Sequence, residues 1–337
     1  MTRIAINGLG RIGRAAFKVI MDTPELELVA VNDITPAEDI IYLLKHDSVY
    51  GKYEKTLEYK NNEINVDGKN IKVFSQKDPA QLPWKDMNID IVFECSGKFT
   101  NKEDMQKHID AGAGHVILSA PAKGDNIPFI IPGVNEINAD DKLISTASCT
   151  TNCIAPVMEI MDRKIGIEKA IMTTIHAYTS SQSIVDMPSK NRRRGRAGAL
   201  NFVPTSTGAA KAASKALPQL NKVFDGVAIR GPVPSGSIAD ITIVTSRDTS
   251  VEEINQIFQE EAKNSRYDGI LGTTDEDLVS SDIIKDPRAS IIDMEMTMVV
   301  DGNLVKIMSW YDNEWGYVNQ MVKAGVKLGQ KIKEPVS

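Results

Sequence analysis

Cys149 lies in the segment Ser148-Cys149-Thr150-Thr151-Asn152-Cys153, immediately ahead of Ile154, Val157, Met158 and Met161. Those four apolar residues repeat at i, i+3, i+4 and i+7, which predicts a helix with one buried face starting near Cys149. A thiol at a helix N-terminus meets unpaired backbone N–H groups and the positive end of the helix dipole, and both favour the nucleophilic thiolate. An arbitrary cysteine is more often an inert buried residue, and Cys153 and Cys95 keep that reading. His176 closes the strand pattern Ala170–Ile175 and precedes the hydroxyl-rich Ala177-Tyr178-Thr179-Ser180-Ser181. Alone it reads as a structural histidine. Beside Cys149 it becomes a proton acceptor able to hold the cysteine as a thiolate, although the sequence does not supply their proximity.

Anion-binding chemistry has two further candidates. Thr205-Ser206-Thr207-Gly208-Ala209-Ala210-Lys211 brings hydroxyls and a glycine to the start of an alanine-rich helix, which suits either an anion or a simple helix cap. Arg192-Arg193-Arg194-Gly195-Arg196 is the one concentrated basic run.

These residues need elements to hold them. The strand pattern Arg3–Asn7 leads into Gly8-Leu9-Gly10-Arg11-Ile12-Gly13 and then into Ile12, Ala16, Val19 and Ile20 at helical spacing. A second strand pattern, Leu26–Val31, ends at Asn32-Asp33, about 20 residues beyond the last glycine. Strand, glycine turn, helix and a following carboxylate suit a dinucleotide. Gly8, Gly10 and Gly13 let the backbone approach a pyrophosphate at a helix N-terminus, and Asp33 accepts from ribose hydroxyls. Strand patterns at Ile89–Glu94 and His115–Ser119 flank a helix pattern around Lys102–Ala111, and Ser96-Gly97 follows a strand end, where such sheets bind ligands. The polar stretch from Tyr50 to Gln81, with turn signals at Asn61-Asn62 and Asp67-Gly68, reads as a hairpin insertion.

Downstream, Ile238–Thr245 alternates as a strand, and Ser250-Val251-Glu252-Glu253 reads as a capping box before Ile254, Ile257 and Phe258. Ile291–Val300 and Leu304–Trp310 are strand patterns joined at Asp301-Gly302-Asn303, and Val318–Lys331 is a last helix. The predicted class is α/β: a Rossmann-type doubly wound sheet over residues 1–148, then an α+β domain over 149–315 with a mixed, largely antiparallel sheet. A C-terminal helix over about 316–337 is expected to pack back on the first domain.

Composition narrows the classes. A chain of 337 residues with 42% hydrophobic content can bury the cores of two domains. Three cysteines cannot build a disulfide framework, so a reducing cytoplasm is expected. No zinc-ligand spacing, membrane-length apolar run or signal-peptide pattern is present in the sequence, and a net charge of −6 argues against a nucleic-acid partner.

With these pieces placed, the chain closely resembles the phosphorylating glyceraldehyde-3-phosphate dehydrogenases over essentially its whole length. The opening Asn7–Arg14 motif carries the resemblance, with Ala147–Cys153, His176–Thr179, Ser206–Ala212 and the run Trp310-Tyr311-Asp312-Asn313-Glu314-Trp315-Gly316-Tyr317 in order after it. The resemblance implies a glycolytic oxidation of glyceraldehyde 3-phosphate to 1,3-bisphosphoglycerate with NAD and inorganic phosphate. It implies Cys149 as nucleophile through a thiohemiacetal and a thioester, and His176 as base. Ser148, Thr150, Thr207, Gly208 and Arg194 are then expected to hold the attacking phosphate, and Thr179 and Arg230 the substrate phosphate. For NAD it implies Arg11 and Ile12 in the pyrophosphate turn, Asp33 on the adenosine ribose, Lys77 and Ser119 as flanking contacts, and Asn313 on the nicotinamide amide. Asp33 would repel a 2′-phosphate, and Met187-Pro188 resembles the pair in NAD-using members. A homotetramer is inherited from the family, with no nucleic acid or membrane required. Arg192, Arg193 and Arg196 then read as a solvated or subunit-interface run.

Departures from the family pattern are Leu9 for an aromatic residue, Lys77 for arginine, Val318-Asn319 after Tyr317, and Gly231 and Gly236 in Arg230-Gly231-Pro232-Val233-Pro234-Ser235-Gly236-Ser237. The two glycines are expected to loosen the strand that carries Arg230. Competing readings are an erythrose-4-phosphate dehydrogenase, against which the full Ser206–Ala212 block stands, and a catalytically idle binding or adhesion protein, against which Cys149 and His176 stand.

Overall fold

The computed structural model describes residues 1–124 and 126–333. The chain divides into two compact units, one formed by Met1–Ile130, Glu136–Ala147 and the chain from Met321, the other by Ile131–Asn135 and Ser148–Gln320. The first boundary differs from the sequence expectation because Ile131 is fully buried in the second unit's core, where Val134 packs against it. Arg266 also donates to the carbonyls of Gly133 and Val134.

The first unit is an eight-stranded sheet. Its order is Leu143–Ser145, His115–Leu118, Ile91–Glu94, Thr2–Asn7, Leu26–Asn32, Lys69–Phe74, Glu63–Val66 and Leu57–Lys60. The first six strands run parallel to their neighbours. Ile91–Glu94 is buried along its whole length, as a parallel strand covered on both faces must be. The 50–81 stretch is therefore not a separate insertion: its last three strands extend the sheet, with Lys69–Phe74 parallel to Leu26–Asn32 and the other two added antiparallel. Both predicted turns are real. Asn61 and Asn62 have φ of 54° and 57°, and Asp67 and Gly68 have 48° and 88°, as two-residue hairpin turns with φ > 0 at both positions require.

Two strands come out shorter than their patterns, beginning at Ile91 rather than Ile89 and ending at Leu118 rather than Ser119. The last helix runs Trp315–Lys331; the expected stretch at 334–337 lies outside the described residues. Within the first unit, Lys331 of this helix donates to the Ile137 carbonyl and Lys327 pairs with Glu136.

The second unit is a seven-stranded sheet in the order Val203–Ser206, Phe224–Gly231, Ile167–Ala177, Ser237–Thr245, Leu304–Tyr311, Ser290–Val300 and Leu271–Thr274. Four of its pairings are antiparallel, and two are parallel, Ile167–Ala177 with Phe224–Gly231 and Leu271–Thr274 with Ser290–Val300. Helices Cys149–Lys164, Ala209–Ala216 and Val251–Glu261 pack on it, joining Val157 and Met161 to Ile241, Ile307 and Phe258 in one core. The first of these helices departs from the single buried face predicted for it: every residue from Thr150 to Met161 is buried, which makes it a central helix. Ser250 caps Val251–Glu261 by accepting from Glu253 N, while the Glu253 carboxylate turns to Arg247 and Thr249. Among the described residues no helix is long and apolar enough to cross a membrane.

Candidate active site

In the second unit, a strand end and a helix start bring the nucleophile and base candidates together. Cys149 is the first residue of its helix, and the N-cap Ser148 accepts from Thr151 N at 3.1 Å. Ala147, just before the cap, has φ 55°, a left-handed conformation that turns the chain sharply into the helix. His176 is the penultimate residue of Ile167–Ala177, and the parallel register sets it beside Arg230. His176 Nε2 lies 3.3 Å from Cys149 Sγ.

In the tautomer whose Nδ1–H donates to the Ala177 carbonyl at 2.7 Å, the Nε2 lone pair faces the sulfur and the thiol donates. Arg230 Nη1 donates to the same carbonyl at 3.0 Å and lies against Nδ1. Cys149 is partly exposed to solvent although protein surrounds it closely.

Burial raises the Cys149 thiol above its ordinary range, opposed by the Arg230 cation and by hydrogen bonds from Thr150 and the backbone. His176 is pushed down to about 3, first by burial and then by Arg230. Both directions favour the uncharged forms, thiol and neutral imidazole, over a thiolate held by a protonated histidine.

Tyr311, which the sequence reading quoted but gave no role, ties this corner together. Its hydroxyl pairs with Thr150 Oγ1 at 2.9 Å and Thr174 Oγ1 at 2.8 Å, and its ring stands edge-on to the His176 ring with centroids 5.9 Å apart. Only its place in a strand ending beside Asp312-Asn313 could have pointed to it.

The remaining anion-site candidates are spread over nearby loops of the same unit. Arg194 donates to Thr205 Oγ1 at 2.9 Å and to the Ser206 carbonyl, and its charge is felt by Arg230. Thr207 Oγ1 accepts from Ala209 N, the first N–H of the helix, while the N-cap Gly208 has no side chain to cap it and open space around it. The Thr179 hydroxyl bonds Ser181 Oγ and is not paired with Arg230. Asn313 is buried and its Oδ1 accepts from Ser237 Oγ at 2.9 Å. Arg196 is paired with Asp186 at the surface, while Arg192 and Arg193 are exposed.

Gly236 is a structural requirement. It has φ 84°, and a Cβ there would sit 2.0 Å from the Ser280 carbonyl oxygen, so no other residue fits that turn unchanged. Gly231 is the last residue of its strand and pairs with Ala177, in register with the residues before it.

The first unit carries a cavity at the carboxyl ends of its parallel strands, lined by Gly8, Gly10, Asp33, Lys77, Ser96 and Phe99 among others. Gly8 has φ 94°, and a Cβ on Gly13 would sit 1.9 Å from the Gly8 carbonyl oxygen, so the helix can start this close to the turn only with glycine. The helix Arg11–Met21 begins after Gly10 with no side chain capping it and open space at Gly10. Asp33 already accepts from Leu9 N at 2.6 Å and Thr35 N at 2.8 Å, which ties the carboxylate to the glycine turn. Arg11 differs from the expectation in one respect: its guanidinium is paired with Asp47 at 2.7 Å and stacked over Tyr50, so only its backbone N–H and that of Ile12 are at the turn. Ser119 does not line the cavity; its N–H donates to the Glu94 carbonyl and its side chain bonds Cys95.

Residues 2–102 match the family described as glyceraldehyde 3-phosphate dehydrogenase, NAD binding domain, and residues 148–313 match its C-terminal domain. The chain is 45% identical over 334 residues to a glyceraldehyde-3-phosphate dehydrogenase of Zymomonas mobilis, covering 98% of this chain and 99% of the relative. It is 47% identical over 326 residues to that of Thermotoga maritima, covering 96% and 97%. Against glyceraldehyde-3-phosphate dehydrogenase 2 of Bacillus subtilis the identity is 43% over 336 residues, covering 99% and 98%. Near-complete coverage at this identity, with both halves of the chain matched in order, means that the chain belongs to the glyceraldehyde-3-phosphate dehydrogenase family.

Proposed function

We propose that the chain oxidises glyceraldehyde 3-phosphate and captures the acyl group on inorganic phosphate, giving 1,3-bisphosphoglycerate. The observation that carries this is the Cys149 Sγ–His176 Nε2 approach of 3.3 Å with the Arg230 guanidinium against the same imidazole.

The Cys149 sulfur adds to the aldehyde carbon while its proton passes through His176 Nε2 to the carbonyl oxygen, forming a thiohemiacetal. His176 Nε2 is the acceptor for the hydroxyl proton as the carbon is oxidised, which leaves a thioester on Cys149. A phosphate oxygen then attacks the thioester carbonyl, and the C–S bond breaks with the electron pair returning to sulfur. Ser148, Thr150, Thr207, Gly208 and Arg194 are the candidates for orienting that phosphate. Thr179 and Arg230 are those for the substrate phosphate, where an arginine fork matches the oxygens.

NAD, when bound, supplies the hydride acceptor. The residues fit it: Gly8 and Gly13 form a turn that a Cβ would fill, and Asp33 stands at its rim. Gly10, Arg11 and Ile12 would offer backbone N–H groups to the pyrophosphate, Asp33 would take the ribose hydroxyls and disfavour a 2′-phosphate, and Lys77 would flank. Asn313 would address the carboxamide through Nδ2, since Ser237 already donates to its oxygen.

The assay is NADH formation from glyceraldehyde 3-phosphate and erythrose 4-phosphate, with and without inorganic phosphate, for the wild type and Cys149→Ser, repeated with NADP. Activity that needs phosphate, NAD and Cys149 and favours the three-carbon substrate is expected. Phosphate-independent turnover, an active serine variant or a preference for erythrose 4-phosphate would overturn the reading.

A homotetramer fits the exposed apolar side chains of Ile184, Leu200 and Phe202, at 86%, 81% and 73% exposure, which a partner surface would cover. Sedimentation as a monomer would refute it. Three unpaired cysteines fit a reducing cytoplasm.

A further inference from the structure

Five side chains beneath the dinucleotide cavity form one buried hydrogen-bonded row. Asn32, Asn7 and Glu94 occupy the same level at the carboxyl ends of three adjacent parallel strands, in register with one another. Asn32 Nδ2 donates to Asn7 Oδ1 at 2.7 Å, and Asn7 Nδ2 donates to Glu94 Oε2. His108 Nε2 lies 3.0 Å from the same Glu94 oxygen, and Trp84 Nε1 donates to His108 Nδ1 at 3.0 Å. None of the five is more than 3% exposed.

The direction of every bond is forced. An indole N–H can only donate, so His108 Nδ1 must accept, and its proton must sit on Nε2 and point at Glu94. Glu94 Oε2 is thereby held by Asn7 and His108, which leaves Oε1 for both donors of Ser96, its N–H at 2.7 Å and its hydroxyl. At the other end Asn32 Oδ1 accepts from Gln76 N and its Nδ2 donates to the Gln76 carbonyl. Asn7, Asn32, Gln76 and Ser96 all line the cavity, whereas Trp84 and His108 do not. Ser96 in turn lies where a Cβ on Gly8 would meet its Cα at 2.5 Å, so its position also limits the glycine turn.

We propose that Trp84 and His108 are positioning residues for dinucleotide binding. Through Glu94 they fix the floor and one rim of the cavity in a single donor–acceptor arrangement before NAD arrives, so little ordering remains to oppose binding. The proposal rests on the reading of the first unit as the NAD site.

The test compares His108→Gln, His108→Phe and Trp84→Phe in the full-length protein. A glutamine carboxamide can accept from Trp84 and donate to Glu94, whereas phenylalanine keeps the ring and does neither. NAD dissociation constants come from calorimetry, with KM and kcat for both substrates alongside. His108→Gln should bind NAD nearly as the wild type does. His108→Phe and Trp84→Phe should bind about tenfold more weakly, equivalent to ~1.4 kcal/mol, with kcat at saturating NAD and KM for the aldehyde unchanged. A purely structural ring would give the opposite order, phenylalanine tolerated and glutamine not, and that result overturns the proposal. Should His108→Phe fail to fold, unchanged NAD affinity in Trp84→Phe overturns it equally. A wild type that does not bind NAD removes the cofactor reading and the proposal with it; a wild type that binds, with all variants unchanged, removes the proposal alone.

Discussion

Acidification should expose the burial of His176 as a loss of stability. An imidazole that titrates near 6.5 in an unfolded chain is pushed down to about 3 in the fold, because burial and the Arg230 cation both disfavour its charged form. Between those two values the unfolded chain binds a proton that the folded chain refuses. The sign is therefore fixed: the folded state carries no penalty above about pH 6.5, loses stability as the pH falls, and stops losing it near pH 3. A gap of roughly 3.5 units at ~1.36 kcal/mol each corresponds to about 5 kcal/mol in full, of which about 2 kcal/mol should be gone by pH 5. Carboxylates such as Glu261 and Asp47, held below their usual range by Arg163 and Arg11, also cost stability in acid. The informative quantity is thus the difference between the wild type and His176→Asn, from urea unfolding at pH 7, 6 and 5 and one fixed protein concentration. That difference should shift by about 2 kcal/mol in the variant's favour between pH 7 and pH 5. A shift below about 0.5 kcal/mol would mean that the folded state accepts the proton after all, and the assignment of His176 as a buried neutral base would fall.

Tyr311→Phe should lower stability by about 1–3 kcal/mol in thermal unfolding, because it strands the buried hydroxyls of Thr150 and Thr174. It should also slow alkylation of Cys149, since Thr150 supports the sulfur; unchanged values for both would remove Tyr311 from the site. A phosphate monoester without an aldehyde, taking the place of the substrate phosphate at saturating concentration, should move the pH profile of Cys149 alkylation upward by neutralising Arg230, whose cation otherwise favours the thiolate. An unmoved profile would mean that phosphate does not reach that arginine.

Local patterns carried most of the fold. The turns at Asn61-Asn62 and Asp67-Gly68 were readable because left-handed backbone restricts which residues can sit there. The strand Phe224–Gly231 was not readable from local periodicity and came only with the family resemblance: its Asp225 and Gly226 break any alternation, and its place in the sheet comes from pairing with Ile167–Ala177, a long-range fact. Loss of that strand hid the reason Arg230 reaches His176, which is register and not sequence distance. Cys149 could be placed on a helix start because Ser148 and the apolar repeat mark one locally. Its partner could not, since 27 residues and a strand reversal separate the two. The pairing of Arg11 with Asp47 was invisible for the same reason: a side chain's first partner is chosen by the tertiary environment. The row from Asn32 to Trp84 was hidden more deeply, because Asn7, Asn32 and Glu94 read singly as ordinary strand-end residues and become a unit only when parallel pairing aligns them.

Arg230 acts on Cys149 and His176 in a way that the thiolate expectation did not include. A positive charge beside a thiol and an imidazole favours the proton-poor form of each, thiolate for the one and neutral ring for the other. It therefore works against burial at Cys149 and with burial at His176, and the two groups respond in opposite directions overall. A permanent thiolate–imidazolium pair would need His176 to hold the proton that Arg230 helps Cys149 to lose, and burial and the same cation both oppose it. What the geometry does supply is a ring favoured in its neutral form, with Nδ1 beside the Ala177 carbonyl and Nε2 aimed at the reacting atoms. That is the condition a general base must meet before the carbon is oxidised. A phosphate on Arg230 would then relax the field and let His176 bind a proton more readily, so substrate binding and base strength are coupled through one guanidinium.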